Sequence, residues 1–420
     1  MKVTLINTSD TIGGAAIAAR RLVQALSESK VDVSLLVKEK NSDDKLVHST
    51  TNSKFKKYLN FLRFVYERLL FYLREKNVSV RFAFSIGNTG ENIVNHPLIK
   101  NTDIIHLHWI NEGFLSLRSL KKIFKLNKPI VWTFHDMWAF TGGCHYAGNC
   151  EKFKEKCHYC PFLKYPQKKD LSYRVWNRKK KIYKNSKINV VTCSNWLKHV
   201  VKESTLLKGN NIISIQNPIN TDFYKPADKY ESKRNLGIST KKKLILFGAM
   251  NTNDKRKGSQ YLIDSLKNIS ENNPVCIDKV ALVIFGKNKT PFYTDFETFH
   301  LNFISNQEDI INIYNACDVF VTPSIEDNLP NTIVEAHACG LPVVAFNATG
   351  MPEMISHKKN GYLATYKSSE DFAAGIIWTL FESDYNSLSN DARKKAVEFY
   401  SPDISANKYI ELYKSLLNIN

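Results

Sequence analysis

The sequence predicts an α/β protein of two Rossmann-like domains with parallel sheets. β-branched apolar runs alternate with segments of helical period through most of the chain, the pattern of βαβ units. The 420 residues are too many for one compact core and suit two. A turn-rich stretch with two prolines, IQNPINTDFYKP at 215–226, separates two sets of such units. The expected boundary puts 1–215 in one domain and 216–400 in the other.

Strands are expected in the first half at 2–7, 32–37, 103–108, 129–134 and 188–193, with helices over 15–29 and 195–202. The opening MKVTLINTS reads as the first strand, because a signal peptide needs a longer apolar region and a small-residue cleavage site. In the second half strands are expected at 243–248, 279–285, 318–322 and 341–346. Helices there should cover 260–270, 307–316 and 331–339. A last helical pattern, 401–420, brings Ile404, Tyr409, Leu412 and Leu416 onto related faces. Apolar runs of about 18 residues are lacking, so no membrane span is expected and the cytoplasm is the expected compartment.

The formal net charge is +19, and its placement is uneven. Residues 1–215 hold 37 Lys and Arg against 16 Asp and Glu, and the remainder hold 22 against 24. A basic half of this kind suits nucleic acid, anionic lipid headgroups or a polyanionic substrate, or is simply a solvated lysine-rich surface. Residues 54–76, KFKKYLNFLRFVYERLLFYLREK, repeat apolar residues at helical period: Phe55, Leu59, Leu62, Tyr66, Leu69 and Leu73. Two readings fit: an interfacial helix on a membrane, or a core helix with snorkelling Lys and Arg.

The strongest chemical signal is PSIEDNLPNTIVEAHACGLPVV at 323–344. A strand runs into a loop there, and a helix opens near Pro330 or Asn331. Free amides and the helix dipole at such a point favour an anion such as a diphosphate. Glu335, just inside the helix, could then reach a ribose carried by that diphosphate. With its neighbours this segment resembles glycosyltransferase family 4, the retaining nucleotide-sugar enzymes of GT-B fold. That family spaces an acid and a glutamate by seven residues and continues A-x-x-x-G-x-P-V. Glu335, Ala336, Gly340, Pro342 and Val343 match, and Asp327 stands where the family usually has glutamate, with Glu326 one position early. The resemblance implies that one of these two acids faces the transferred sugar.

It covers nearly the whole chain and implies that the final helix, 401–420, crosses back onto the N-terminal domain of residues 1–215. FGAMNTNDKRKGSQYLIDSL at 247–266 is similar to the family's glycine-arginine followed by lysine-glycine. Lys257 and Gly258 match, whereas Ala249 replaces the arginine, which puts Arg256 forward as the second cation on the donor diphosphate. GMPEMI at 350–355 resembles the family's glycine-x-proline-glutamate loop and nominates Glu353 for the donor pocket. Asn328, Leu329, Pro330 and Asn331 would complete the phosphate cradle through their main chain. Gly13 and Gly14, between the first strand and helix, allow close backbone approach to a ligand, and the resemblance implies that they face the donor and the acceptor. His135, with Asp136, ends a strand where ligands bind in open α/β sheets, and the resemblance implies contact with the sugar. His108 lies at another strand end, while His106 reads as a satisfied sheet residue.

Eight cysteines divide evenly. Cys193, Cys276, Cys317 and Cys339 fall in apolar stretches and are expected buried. Cys144, Cys150, Cys157 and Cys160 crowd an insertion at 141–170, and four thiolates so close suit a tetrahedral structural zinc. Reduced thiols packed in a loop, or a redox role, are the alternatives.

The function the resemblance implies is retaining transfer of a sugar from a UDP- or GDP-sugar, with no cofactor required for catalysis. The acceptor expected is a glycan or lipid-linked oligosaccharide in cell-surface polysaccharide synthesis. An anionic membrane surface is the expected partner, reached from the inner face of the plasma membrane, and nucleic acid is not. The rival readings are a non-catalytic basic lipid- or nucleic-acid-binding protein, or a GT-B epimerase or phosphorylase. A dinucleotide-dependent oxidoreductase would need G-x-G-x-x-G after the first strand, which residues 9–18 lack.

Overall fold

The computed structural model describes residues 1–251, 254–287, 294–301 and 306–419. Two compact units divide the chain: Met1–Pro218 with Ser405–Asn420, and Ile219–Ile404.

The first unit carries a seven-stranded sheet in the order β3-β2-β1-β4-β5-β6-β7. The strands are β1 (Lys2–Ser9), β2 (Asp32–Glu39), β3 (Val47–Ser49), β4 (Ile104–Leu107), β5 (Ile130–Phe134), β6 (Ile188–Thr192) and β7 (Ile212–Ser214). Every pairing is parallel. Parallel strands need crossovers that cover both faces, which is why the central strands read as nearly unbroken apolar runs. Helix α1 (Gly14–Glu28) turns Ala19, Leu22, Val23 and Leu26 into the core on one side. Helix α2 (Lys54–Tyr72) and helix α3 (Leu171–Tyr183) also belong to this unit.

The second unit holds a six-stranded parallel sheet ordered β10-β9-β8-β11-β12-β13. Its strands are β8 (Lys243–Asn251), β9 (Val280–Lys287), β10 (Glu297–Leu301), β11 (Val319–Thr322), β12 (Val343–Phe346) and β13 (Gly361–Ala364). Helices α4 (Ser259–Asn272), α5 (Asn331–Ala338) and α6 (Met351–Met354) follow β8, β11 and β12.

Helix α7 (Pro402–Leu417) ends the chain on the first unit. Tyr409 and Tyr413 are buried there, and their hydroxyls meet Thr133 Oγ1 at 2.9 Å and His106 Nδ1 at 2.7 Å. Thr133 also meets His106 Nε2 at 2.7 Å, so both nitrogens of His106 are satisfied inside the sheet.

In each sheet the strand order reverses once, between β1 and β4 and between β8 and β11. Open α/β sheets bind ligands at the carboxyl ends of the strands beside such a reversal. The segments carrying Gly13 and His108 follow β1 and β4, and those carrying Lys257 and Asp327 follow β8 and β11. Among the described residues no helix is long and apolar enough to cross a membrane.

Candidate active site

In the second unit, the loops after β8, β11 and β12 come together at main-chain contact. A 3-10 turn over Lys255–Lys257 is capped by Asp254, whose carboxylate accepts from the Arg256 N–H. Gly258 ends it with φ of 71°, and a Cβ there would lie 1.9 Å from the Pro323 carbonyl oxygen. Only glycine permits this approach, which seats the basic turn against the loop leaving β11. Gly350 makes the third seam, since its Cβ would fall 1.5 Å from the Asn328 carbonyl oxygen. The Gly350 N–H donates to the Asp327 carbonyl at 3.2 Å, and the Asp327 N–H to Thr349 Oγ1 at 3.2 Å.

The charges meet at Asp327. Lys257 Nζ is 2.6 Å and Arg256 Nη1 3.1 Å from its Oδ2, while Arg256 Nη1 also donates to the Glu326 carbonyl at 2.6 Å. Oδ1 accepts from the Asn328 N–H at 3.0 Å. Burial alone would raise the Asp327 pKa, but the two cations outweigh it and hold the carboxyl down at about 2. Asp327 is buried, whereas the Glu326 side chain is half-buried.

Helix α5 begins at Asn331 behind Pro330, without a side-chain cap. Leu329 is buried beneath this turn. Glu335 is only 6% exposed and accepts from the Tyr314 hydroxyl at 2.8 Å, which fixes its carboxylate. Glu353 lies on α6, within electrostatic reach of Lys395. Ala249 lies among the residues whose side chains are not described.

In the first unit, Gly13 takes φ of 95° and ψ of 159° at the head of α1, and a Cβ there would meet nothing within 4 Å. Asp10, in the loop between β1 and α1, is buried and accepts the main-chain N–H groups of Asn41 and Ser42. Burial pushes its pKa up, but these bonds and the Ser42 side chain bring it below the ordinary value.

Across the ends of β4 and β5 the imidazoles form a row. His106 and His108 rings are 4.4 Å apart, and His108 Nδ1 meets His135 Nε2 at 3.0 Å. The other nitrogen of His135 faces Cys193 Sγ at 3.5 Å. Burial, opposed by Asp136, lowers the His135 pKa to about 4, and burial with its histidine neighbours drives His108 well below the usual histidine range. Both are neutral at pH 7. Asp136 is occupied elsewhere: its Oδ2 accepts Trp109 Nε1 at 2.9 Å and pairs with His145 Nδ1 at 2.6 Å.

The zinc expected at Cys144, Cys150, Cys157 and Cys160 is not supported by the structure. Among the described residues no group of three or more His, Cys, Asp or Glu side chains is arranged to hold a metal ion. Cys144, Cys157 and Cys160 are buried in the apolar core, with Cys150 packed against it. The Gly142 N–H donates to Cys157 Sγ at 3.0 Å. Burial raises the pKa of Cys157 and of Cys160 to about 12. The insertion is organised instead by its apolar side chains and by buried Lys179. That amine donates to the Trp138 and Thr141 carbonyls and sits 3.8 Å from the centre of a Trp138 ring. The four scattered cysteines are buried as expected.

Burial lowers the Lys179 pKa to about 7, against an attraction to Cys157, Cys144 and Asp136 that raises it. Between pH 7 and the ordinary lysine pKa of about 10.4, the unfolded chain then binds a proton that the folded chain does not. Stability therefore rises with pH across that window, by about 1.4 kcal/mol per unit at most. Buried thiols such as Cys157 and Cys160 act in the opposite direction, so the effect is read as a difference: from pH 7 to 10 the urea midpoint of the wild type should rise relative to that of Lys179→Met.

Comparison with known proteins bears on both units. The model of Glycosyltransferase Family 4 matches residues 12–223, and that of Glycosyl transferases group 1 matches 228–397. The chain belongs to glycosyltransferase family 4. It is 25% identical over 340 residues to the putative colanic acid biosynthesis glycosyl transferase WcaC of Escherichia coli K12, covering 76% of this chain and 77% of that one. A Campylobacter jejuni enzyme, N,N'-diacetylbacillosaminyl-diphospho-undecaprenol alpha-1,3-N-acetylgalactosaminyltransferase, is 27% identical over 36% of this chain and 42% of its own. Two uncharacterised glycosyltransferases are matched over only 48% and 62% of their lengths. Among solved structures, Anabaena HepE in complex with UDP-glucose superposes with a TM-score of 0.65 at 16% identity, over 99% of this chain and 100% of that one. The shared fold is GT-B.

Within this family 4 chain, the structure brings Arg256, Lys257, Asp327 and Asn328 into one bonded cluster and gives Glu335 a separate partner. Sequence reasoning missed Tyr314, Thr349 and Cys193 as partners, because each acts through a fold contact that spacing along the chain does not reveal. Asp10 was missed too, although an acid between the first strand and helix is a signal that could have been read.

Proposed function

We propose that this chain transfers a sugar, with retention of configuration, from a UDP- or GDP-sugar held by the second unit. The observation that carries the reading is the convergence of Lys257 and Arg256 on one buried carboxylate at the strand-order reversal of that sheet. Two cations so placed suit a departing nucleoside diphosphate, on which negative charge builds in the transition state. In the free protein Asp327 occupies them. A bound diphosphate would draw Lys257 and Arg256 toward its oxygens and release the Asp327 or Glu326 carboxylate to face the sugar hydroxyls. The uncapped start of α5, over residues 328–331, would complete the phosphate cradle, with Glu335 on the ribose and Glu353 on the pocket wall.

Gly13, Gly14 and His135 belong in this reading to the sugar and acceptor side. His135 is neutral with both ring nitrogens engaged, so its contact to the sugar would run through the main chain. No cofactor is invoked. The acceptor proposed is a glycan or lipid-linked oligosaccharide of cell-surface polysaccharide synthesis. The names of the E. coli and C. jejuni relatives support that choice, the second stating a diphospho-undecaprenol substrate.

Titration calorimetry against UDP, GDP and their sugars is the direct test. Saturable binding of one of them, lost in Lys257→Ala, is the expected result. Binding of none, or binding undiminished in the variant, would overturn the donor site.

A further inference from the structure

Helix α2 is inside out. A helix on a water-facing surface normally buries its apolar stripe and exposes its polar one. Here Asn60, Glu67 and Arg68 point inward beside Phe71. The two oxygens of Glu67 accept the Gly87 and Gly113 N–H groups at 2.9 and 3.0 Å. Arg68 donates to the Arg81 carbonyl at 2.8 Å and to Ser85 Oγ at 3.2 Å. These bonds fix the rotation of the helix, so its outward face is not a matter of choice. That face carries Phe55, Tyr58, Phe61, Tyr66 and Leu69, exposed by 73, 60, 59, 53 and 52%. Beyond its end the exposed apolar residues continue with Leu73, Val78 and Phe82. The core-helix expectation for residues 54–76 is thereby corrected: the apolar face does not pack inward.

A stripe of this size, roughly 28 Å long at 1.5 Å per residue, marks a surface that something covers. Its charge says what. Exposed Lys54, Lys56 and Lys57 flank one end and Arg74 and Lys76 the other. Residues 54–76 hold seven Lys and Arg against two Glu, within a half of the chain that carries 37 against 16. Such a surface repels a second copy of itself and attracts an anionic one. We propose that α2 lies in the interface of an anionic lipid bilayer, with its rings and leucines at the acyl boundary and its terminal lysines on lipid phosphates. The proposal goes beyond the donor-site reading and stands independently of it.

Co-sedimentation of the full chain with phosphatidylglycerol–phosphatidylcholine vesicles tests it, beside pure phosphatidylcholine and at low and high salt. The wild type should bind the anionic vesicles and weaken with salt. The triple variant Phe55→Ser, Phe61→Ser, Leu69→Ser should lose about tenfold or more in partitioning, at an unchanged thermal midpoint. Lys54→Gln with Lys57→Gln should flatten the salt dependence. Failure of the wild type to bind would overturn the proposal, as would triple-variant binding equal to wild type. A wild-type dimer in sedimentation equilibrium that the triple variant abolishes would assign the face to a second copy instead. None of these outcomes touches nucleotide binding, so a failed donor site and a failed anchor are told apart.

Discussion

Replacing Lys257 by alanine should lower kcat/KM for the donor by about 10²–10³-fold while leaving the protein folded. The loss corresponds to roughly 3–4 kcal/mol of transition-state stabilisation, the size expected when one of two preorganised charges on a leaving group is removed. Folding should survive because Asp327 keeps Arg256 at 3.1 Å and the Asn328 N–H at 3.0 Å. The ground state changes too. Lys257 is the closest cation to the Asp327 carboxylate, and with Arg256 it holds the pKa near 2 against burial.

The sign of the linked pH effect follows. A carboxyl depressed in the folded state contributes stability above its unfolded pKa of about 3.9 and loses it as pH falls toward 2. Without Lys257 the folded pKa rises, so acid unfolding should begin at a higher pH, which a circular-dichroism titration from pH 6 to 2 would register. Unchanged turnover with an unchanged acid limb would mean that Lys257 is a surface lysine after all.

The two parallel sheets were legible because buried parallel strands are continuous apolar runs, and the central members β1, β4, β5, β6, β8, β9, β11 and β12 lie where such runs lie. The elements not foreseen sit toward the sheet edges. β3 and β7 are three residues each, β10 is ETFHL with no buried residue, and β13 is GYLA. Edge strands bury one side or are very short, and their sequences carry too little apolar signal to stand out from loops.

The site divides in the same way. Lys257, Gly258, Asp327 and Gly350 were visible as motif positions, since a glycine at a main-chain seam or a charge at a strand end has no local substitute. The ion pair between them was not visible, because 70 residues separate Lys257 from Asp327 and only the β8–β11 pairing brings their loops together. For the cysteines, spacing alone does not distinguish metal ligands from packed thiols, and three of the four are buried among apolar side chains. For α2, periodicity located the apolar stripe correctly but not its direction, which Glu67 and Arg68 decide through main-chain groups far along the sequence.

Gly350→Ala should cost more stability than any single charge change in the donor site, and should abolish nucleotide binding with it. A Cβ at this position would stand 1.5 Å from the Asn328 carbonyl oxygen, a main-chain atom that cannot rotate away. Relief requires the loop before α5 to separate from the loop before α6. That movement breaks the Gly350 N–H to Asp327 carbonyl bond and the Asp327 N–H to Thr349 bond, both of 3.2 Å. Thr349 already holds φ of 53°, so the neighbouring backbone has little room to absorb the shift. Overpacking of this kind costs about 1–3 kcal/mol in a side-chain core and more where backbone must move. Gly13→Ala is the contrasting substitution: its φ of 95° is strained for alanine, but a Cβ there meets nothing within 4 Å. Its penalty should be conformational alone, about 1–2 kcal/mol. Urea denaturation of both variants should therefore rank Gly350→Ala as the more destabilised, with the loss of nucleotide affinity confined to it. Equal midpoints would mean that the seam between the β11 and β12 loops is looser than its geometry, and that Asp327 is held by its cations rather than by the loop behind it.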